Sequence, residues 1–205
     1  MVKYNPDADF AISMCLKIFS MKRSCPMNIQ ETIESILPDY PICEYAFGST
    51  EQIPFSDKVF TICETDCKRY GHCWACPPHA GSIEENIRRC HSYQNFFLFS
   101  TVSEVSDAWN TDACLEAKKA HESLTRELRA HLLNVIPSSH PIHVLSSGCS
   151  ICDVCACPSE PCRHPGERLY SCESHGIVLM QLVEQMGMCF QYGGNIAVYF
   201  SMVLF

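Results

Sequence analysis

The sequence predicts an α+β fold: a mixed β-sheet flanked by helices, with two cysteine-rich metal-binding loops. Three observations carry this. Asn95 to Val102 and Ile196 to Phe205 are continuous apolar runs of the kind found in strands covered on both faces. Several other segments place apolar residues at steps of three and four behind a capping residue. Thiols crowd into two stretches, 63–76 and 149–162, too densely for packing to explain.

A chain of 205 residues can bury a real core. The expectation is one cysteine-rich domain over residues 28–205, behind an N-terminal extension of residues 1–27. An apolar fraction of 47% with 19% charged residues describes a soluble globular chain, not a disordered one. The formal charge of -8 leaves no surplus of Lys and Arg to meet phosphates, which argues against nucleic acid and against anionic membrane surfaces. No stretch reaches the roughly 18 apolar residues a bilayer span needs. The first residues carry no apolar run of the secretory kind. A reducing cytoplasm is therefore expected, where the 16 cysteines read as metal or redox sites. A disulfide scaffold is the alternative that a trimmed secreted chain would carry.

Taken in order, Asp7 to Ser20 spaces Phe10, Met14 and Ile18 as a short helix does. Asn28 can cap a helix through Leu37, striped by Ile29, Ile33, Ile36 and Leu37 and stopped by Pro38. Pro41 to Phe47 and Lys58 to Cys63 read as strands. Ser82 caps a helix from Ile83 to about Tyr93, with Glu84 and Glu85 in its first turn. Asn95 to Val102 is a strand. Thr111 or Asp112 opens the longest helix, whose stripe runs Ala113, Ala117, Ala120, Leu124, Leu128, Leu132. Pro137 and Pro141 end it, and Ile142 to Leu145 makes a short strand. Ser171 caps a helix toward Met186, Gly187 ends it, and the final strand follows. The order strand, cysteine loop, helix, strand thus occurs twice. Single cysteines at 15, 25, 43 and 90 read as small hydrophobes, and His121 and His131 as structural.

The second loop carries the stronger signal. Cys149, Cys152 and Cys155 recur every third residue, and Cys162 follows seven later. Three such thiols can turn toward one centre while a more distant fourth closes the shell, as in ferredoxin loops. Pro158, Pro161 and Pro165 keep the segment from winding into a helix that would splay the sulfurs. Structural zinc more often draws on two separated C-x2-C knuckles, so zinc is the alternative here. Arg163 either offsets the negative charge of a thiolate-held cluster or forms a surface ion pair. In the first loop Cys63, Cys67, Cys73 and Cys76 follow C-x3-C-x5-C-x2-C, with Gly71 available for an unusual turn. A cluster or zinc both fit that spacing. Tyr70 and Trp74 either shield the site or simply pack beside it. His72, His79 and His164 are read as solvent-facing. No phosphate-cradling, dinucleotide, nucleophile-elbow or zinc-protease motif occurs, and Gly193-Gly194 reads as a turn.

These residues together resemble a known family. Cys63-x3-Cys67-x2-Tyr70-Gly71 with Cys76-Pro77-Pro78 comes first. Gly148-Cys149-x2-Cys152-x2-Cys155, Glu160-Pro161-Cys162-Arg163-x-Pro165 and Ser171-x-Glu173-x-x-Gly176-Ile177 follow. The whole is similar to the cysteine-rich domain of unknown function described as a predicted metal-binding protein, common in anaerobic bacteria and archaea. The likeness spans roughly residues 28 to 205 and implies metal binding without a settled reaction. Cys73, Cys157 and Cys172 stand where the family carries other residues. That leaves Cys63, Cys67 and Cys76 as a shared trio, with a fourth ligand from His72, His79 or substrate. The expectation is an iron–sulfur redox protein with one or two 4Fe-4S clusters, serving a redox partner protein or a small-molecule substrate. Cys149, Cys152, Cys155 and Cys162 would hold one, and Cys63, Cys67, Cys73 and Cys76 the other. A zinc-bound interaction module and a metal-trafficking protein are the alternatives.

Overall fold

The computed structural model of the chain describes residues 28–106 and 110–205. One mixed sheet holds β1 (Glu44–Ser49), β2 (Asn95–Glu104), β3 (His143–Ser146), β4 (Tyr170–Ser171) and β5 (Ile196–Leu204). The strand order is β1-β2-β5-β3-β4. Neighbours are antiparallel except β3 and β4, which run parallel. The α-helices among the described residues are α1 (Ile29–Ile36), α2 (Asp57–Asp66), α3 (Ile83–His91), α4 (Thr111–Val135) and α5 (Leu179–Gln185). None of them is long and apolar enough to cross a membrane.

The two-residue period of a strand divides the sheet between two cores. Phe96 and Leu98 of β2 turn to one face and, with Leu145, Met202 and Leu204, meet Cys90 of α3 and Leu182 and Val183 of α5. Phe97 and Phe99 turn to the other, against Ile33 and Ile36 of α1 and Leu128 and Leu132 of α4. That double covering is why β2 and β5 are apolar at consecutive positions. Phe96, Phe97 and Phe99 are fully buried, each contributing about 1.5–3 kcal/mol of transfer free energy.

Local chemistry sets the helix starts. The Asn28 side chain accepts from the Glu31 N–H, and Ser82 and Glu85 form a reciprocal capping box at the head of α3. Thr111 opens α4 as expected, and Asn110 caps it by accepting from the Ala113 N–H.

Four expectations are corrected. Lys58 to Cys63 lies within α2, not in a strand: Ser56 accepts from the Lys58 N–H, and no residue of this helix is buried in a sheet. The first cysteine loop therefore leaves a helix, and the repeated order of strand, loop, helix, strand does not exist. The helix expected from Ser171 toward Met186 is broken. β4 passes into a 3-10 turn, Glu173–His175, which Gly176 closes at φ 74° before α5 begins. Finally, Cys43 is exposed, its thiol directed at the Tyr192 hydroxyl at 3.6 Å. The helix expected over Asp7 to Ser20, with Cys15 and Cys25, lies outside the described residues.

Candidate metal centre

The first cysteine loop connects α2 to α3, and the second connects β3 to β4. Hydrogen bonds lock the two together although their sequences are some 80 residues apart, as in the Arg69 guanidinium donating to the Cys149 carbonyl. The Trp74 indole N–H donates to the Glu160 carbonyl at 2.9 Å, and the Cys157 thiol to the Gly71 carbonyl at 3.6 Å. Gly71, at φ 70°, also bonds through its N–H to the Pro77 carbonyl, folding the first loop back on itself.

The expected ligands divide between two cavities. Cys149, Cys152, Cys155 and Cys162 line a narrow one together with Cys73, Trp74, His164 and Arg168. Cys63, Cys67 and Cys76 line a second cavity of about 350 Å³ with Tyr70, Lys118, Ser147 and Glu173. Cys73, grouped with the first loop by spacing, thus faces the thiols of the second. It remains packed with Cys76 of its own loop, and Cys155 packs on the same cluster. Cys73, Ala75 and Cys76 form a buried cluster with Cys149, Cys155 and Tyr170 packed on it. All eight cysteines are free thiols.

Electrostatics distinguishes these sulfurs. The hydrogen bond from Cys76 holds the Cys73 thiol well below its ordinary range, with help from Arg69. The same contact, with burial, pushes Cys76 up, so the two neighbouring thiols are driven in opposite directions. Burial, then the neighbouring Cys67 and Glu173, pushes Cys63 up. Burial likewise raises Cys149 and Cys157. Cys90 and Cys172 are inert core thiols: burial lifts Cys90 to about 12 and Cys172 well above its usual value.

The histidines stand apart. His72 and His79 are exposed, and His79 packs against Trp74 with ring centroids 4.8 Å apart. His164 borders the narrow cavity but pairs with Glu167 at 3.5 Å. His131 bonds to the Tyr40 hydroxyl at 3.0 Å, and His121 is buried in a hydroxyl network, both structural as expected.

Two residues that position the second loop were missed by sequence reasoning. Glu122, buried on α4, accepts from the Ser150 N–H at 2.7 Å, from the Ser150 hydroxyl, and from the Ser147 hydroxyl at 3.3 Å. Lys118 at 3.5 Å and Arg126 at 3.9 Å balance its charge. Arg168 stacks on the Tyr170 ring, 4.8 Å from its centroid, and donates to the Tyr170 hydroxyl. Its Nε is buried in the wall of the narrow cavity with no protein partner among the described residues. Glu122 interrupts no pattern, since one carboxylate on a long helix reads as surface. Arg168 sits in a polar run with no period to mark it.

The donor set suits a thiophilic metal or cluster. Soft sulfur lines both cavities, and the orphaned Arg168 N–H is a donor waiting for negative sulfur. The donors ring the cavities and do not meet at a point. Among the described residues no group of three or more His, Cys, Asp or Glu side chains is gathered as a ready-made single-ion shell. A family model described as "Predicted metal-binding protein (DUF2284)" matches residues 48–205. No curated protein and no solved structure matches the chain.

Proposed function

The chain belongs to that family of predicted metal-binding proteins, and we propose that it is an iron–sulfur protein with one or two 4Fe-4S centres at the junction of its two cysteine loops. The observation that supports this best is the convergence of eight free thiols from two distant loops onto two adjoining cavities. Cys149, Cys152, Cys155 and Cys162 would hold one centre. Cys63, Cys67 and Cys76 would hold the other, with Cys73 between them. When bound, such a group supplies reversible one-electron transfer, or a metal corner at which a small substrate is reduced.

The chain's own part is positional and electrostatic. Arg69, Arg163 and Arg168 place positive charge around a thiolate-rich centre. Trp74 and the buried Ala75 screen it from water, which with hydrogen bonding to sulfur sets a potential. Loading the narrow cavity requires the 149–162 segment to move outward. Its bends and turns allow that without breaking a helix or sheet ladder. The separation of Cys63, Cys67 and Cys76 into a roomier cavity supports substrate access on that side.

Iron, zinc and acid-labile sulfide per chain on anaerobically purified protein test the reading, with absorption recorded before and after dithionite. About four or eight irons with equal sulfide, bleaching on reduction, are expected. Stoichiometric zinc without sulfide or colour overturns it and leaves a structural or trafficking module.

A further inference from the structure

The cavity of Cys63, Cys67 and Cys76 offers three thiols, and a tetrahedral centre or a cluster corner set takes four donors. The histidines nearest in sequence do not stand there: neither His72 nor His79 lines this cavity. Glu173 does, and it comes from beyond both cysteine loops.

Glu173 opens the 3-10 turn after β4, in a segment held from several sides. The Asn86 amide donates to the Ser174 carbonyl at 2.9 Å, the Ser174 N–H to the Ser171 hydroxyl at 3.0 Å, and the Ser56 N–H to the Gly176 carbonyl at 2.8 Å. Such bracing presents a ligand from a rigid support. The half-buried side chain lines the cavity wall with Cys63 and acts on its thiol. Among the described residues no cation lies within ion-pair distance of it. Lys118 shares the cavity wall but engages Glu122 instead. A half-buried carboxylate with no cation in ion-pair contact gains a counter-charge when a metal centre binds beside it.

Resting on the reading above, we infer that Glu173 is the oxygen donor that completes the centre held by Cys63, Cys67 and Cys76. A carboxylate is a harder, weaker ligand for iron than thiolate, so this corner is the exchangeable one. A small anionic or oxygen-bearing substrate would enter the cavity by displacing it.

The test reconstitutes wild type, Glu173→Gln, Glu173→Asp and Glu173→Cys anaerobically with iron and sulfide, and reads metal content and the electron paramagnetic resonance of the reduced protein. Far-UV circular dichroism confirms folding. With two cubes in wild type, Glu173→Gln should lose iron from one centre only, falling from about eight irons toward four to seven. Glu173→Cys should restore the count with an altered signal, and Glu173→Asp should retain the centre with faster loss to chelator. Full iron and an unchanged signal in Glu173→Gln overturn the inference. If Glu173→Gln does not fold, the Asp and Cys variants decide: signals identical to wild type in both refute it. If wild type binds zinc without sulfide, the cluster reading falls separately. Cobalt(II) titration of the same variants then judges Glu173: a lost site in Glu173→Gln upholds it as a donor, and an unchanged spectrum refutes it.

Discussion

His121 lends itself to a quantitative test because its surroundings demand the neutral imidazole. Its Nδ1 lies 2.8 Å from the Thr101 hydroxyl and its Nε2 2.7 Å from that of Ser201, which bonds on to Thr125 and Ser146, each at 2.8 Å. Neutral imidazole carries one donor and one acceptor, and hydroxyls satisfy both. Burial lowers the folded pKa from 6.5 to about 4, against weaker opposing pulls from the Phe200 backbone and Glu122. Below pH 6.5 the unfolded chain therefore takes up a proton that the folded chain refuses. Stability present at neutral pH drains away as pH falls toward 4. The full shift corresponds to about 3 kcal/mol, of which about 2 kcal/mol is lost by pH 5. Urea unfolding of wild type and His121→Gln at pH 7.5 and pH 5 isolates this share, since every other titrating group is common to both. The stability advantage of wild type should shrink by about 2 kcal/mol at the lower pH. A gap that stays constant would refute the argument.

Glu122→Gln should loosen the second loop at its root, since Ser147 and Ser150 lose a charged acceptor and Lys118 and Arg126 lose their counter-charge. A loss of about 3 kcal/mol in urea unfolding is expected, with faster metal release to a chelator. Gly176→Ala combines a left-handed backbone at φ 74° with a new methyl 2.8 Å from the Ile83 side chain. It should destabilise by more than about 1 kcal/mol, read as a lower urea midpoint at unchanged slope.

Much of the fold was written in local chemistry. Asn28, Ser82 and Glu85 announce their helices because a side chain satisfies a backbone N–H within three residues. The runs at 96–99 and 200–204 announce buried strands because they leave no polar face. The 59–63 segment misled because a short β-branched run fits strand and helix alike. Its Ser56 cap was the signal that could have settled the matter. Gly176, in the middle of a supposed helix, was likewise the mark of a break. In the candidate site, the thiol spacing showed which residues gather but not how they are shared out. The position of Cys73 beside Cys149 and Cys155 depends on contacts 80 residues apart, which no local pattern records. Glu122, Glu173 and Arg168 are brought beside the loops by the same long-range geometry.

The strand order carries a consequence for biosynthesis. β5 is translated after the other four strands yet sits between β2 and β3, so those two have no direct partner in each other while the ribosome is still at work. Chains emerge at roughly 5–20 residues per second, so for several seconds the growing polypeptide holds both thiol loops without the platform that aligns them. Nascent cysteines in that interval are open to oxidation and to stray metal capture. Orderly uptake of a metal therefore belongs after the last strand has emerged and slotted into the middle of the sheet.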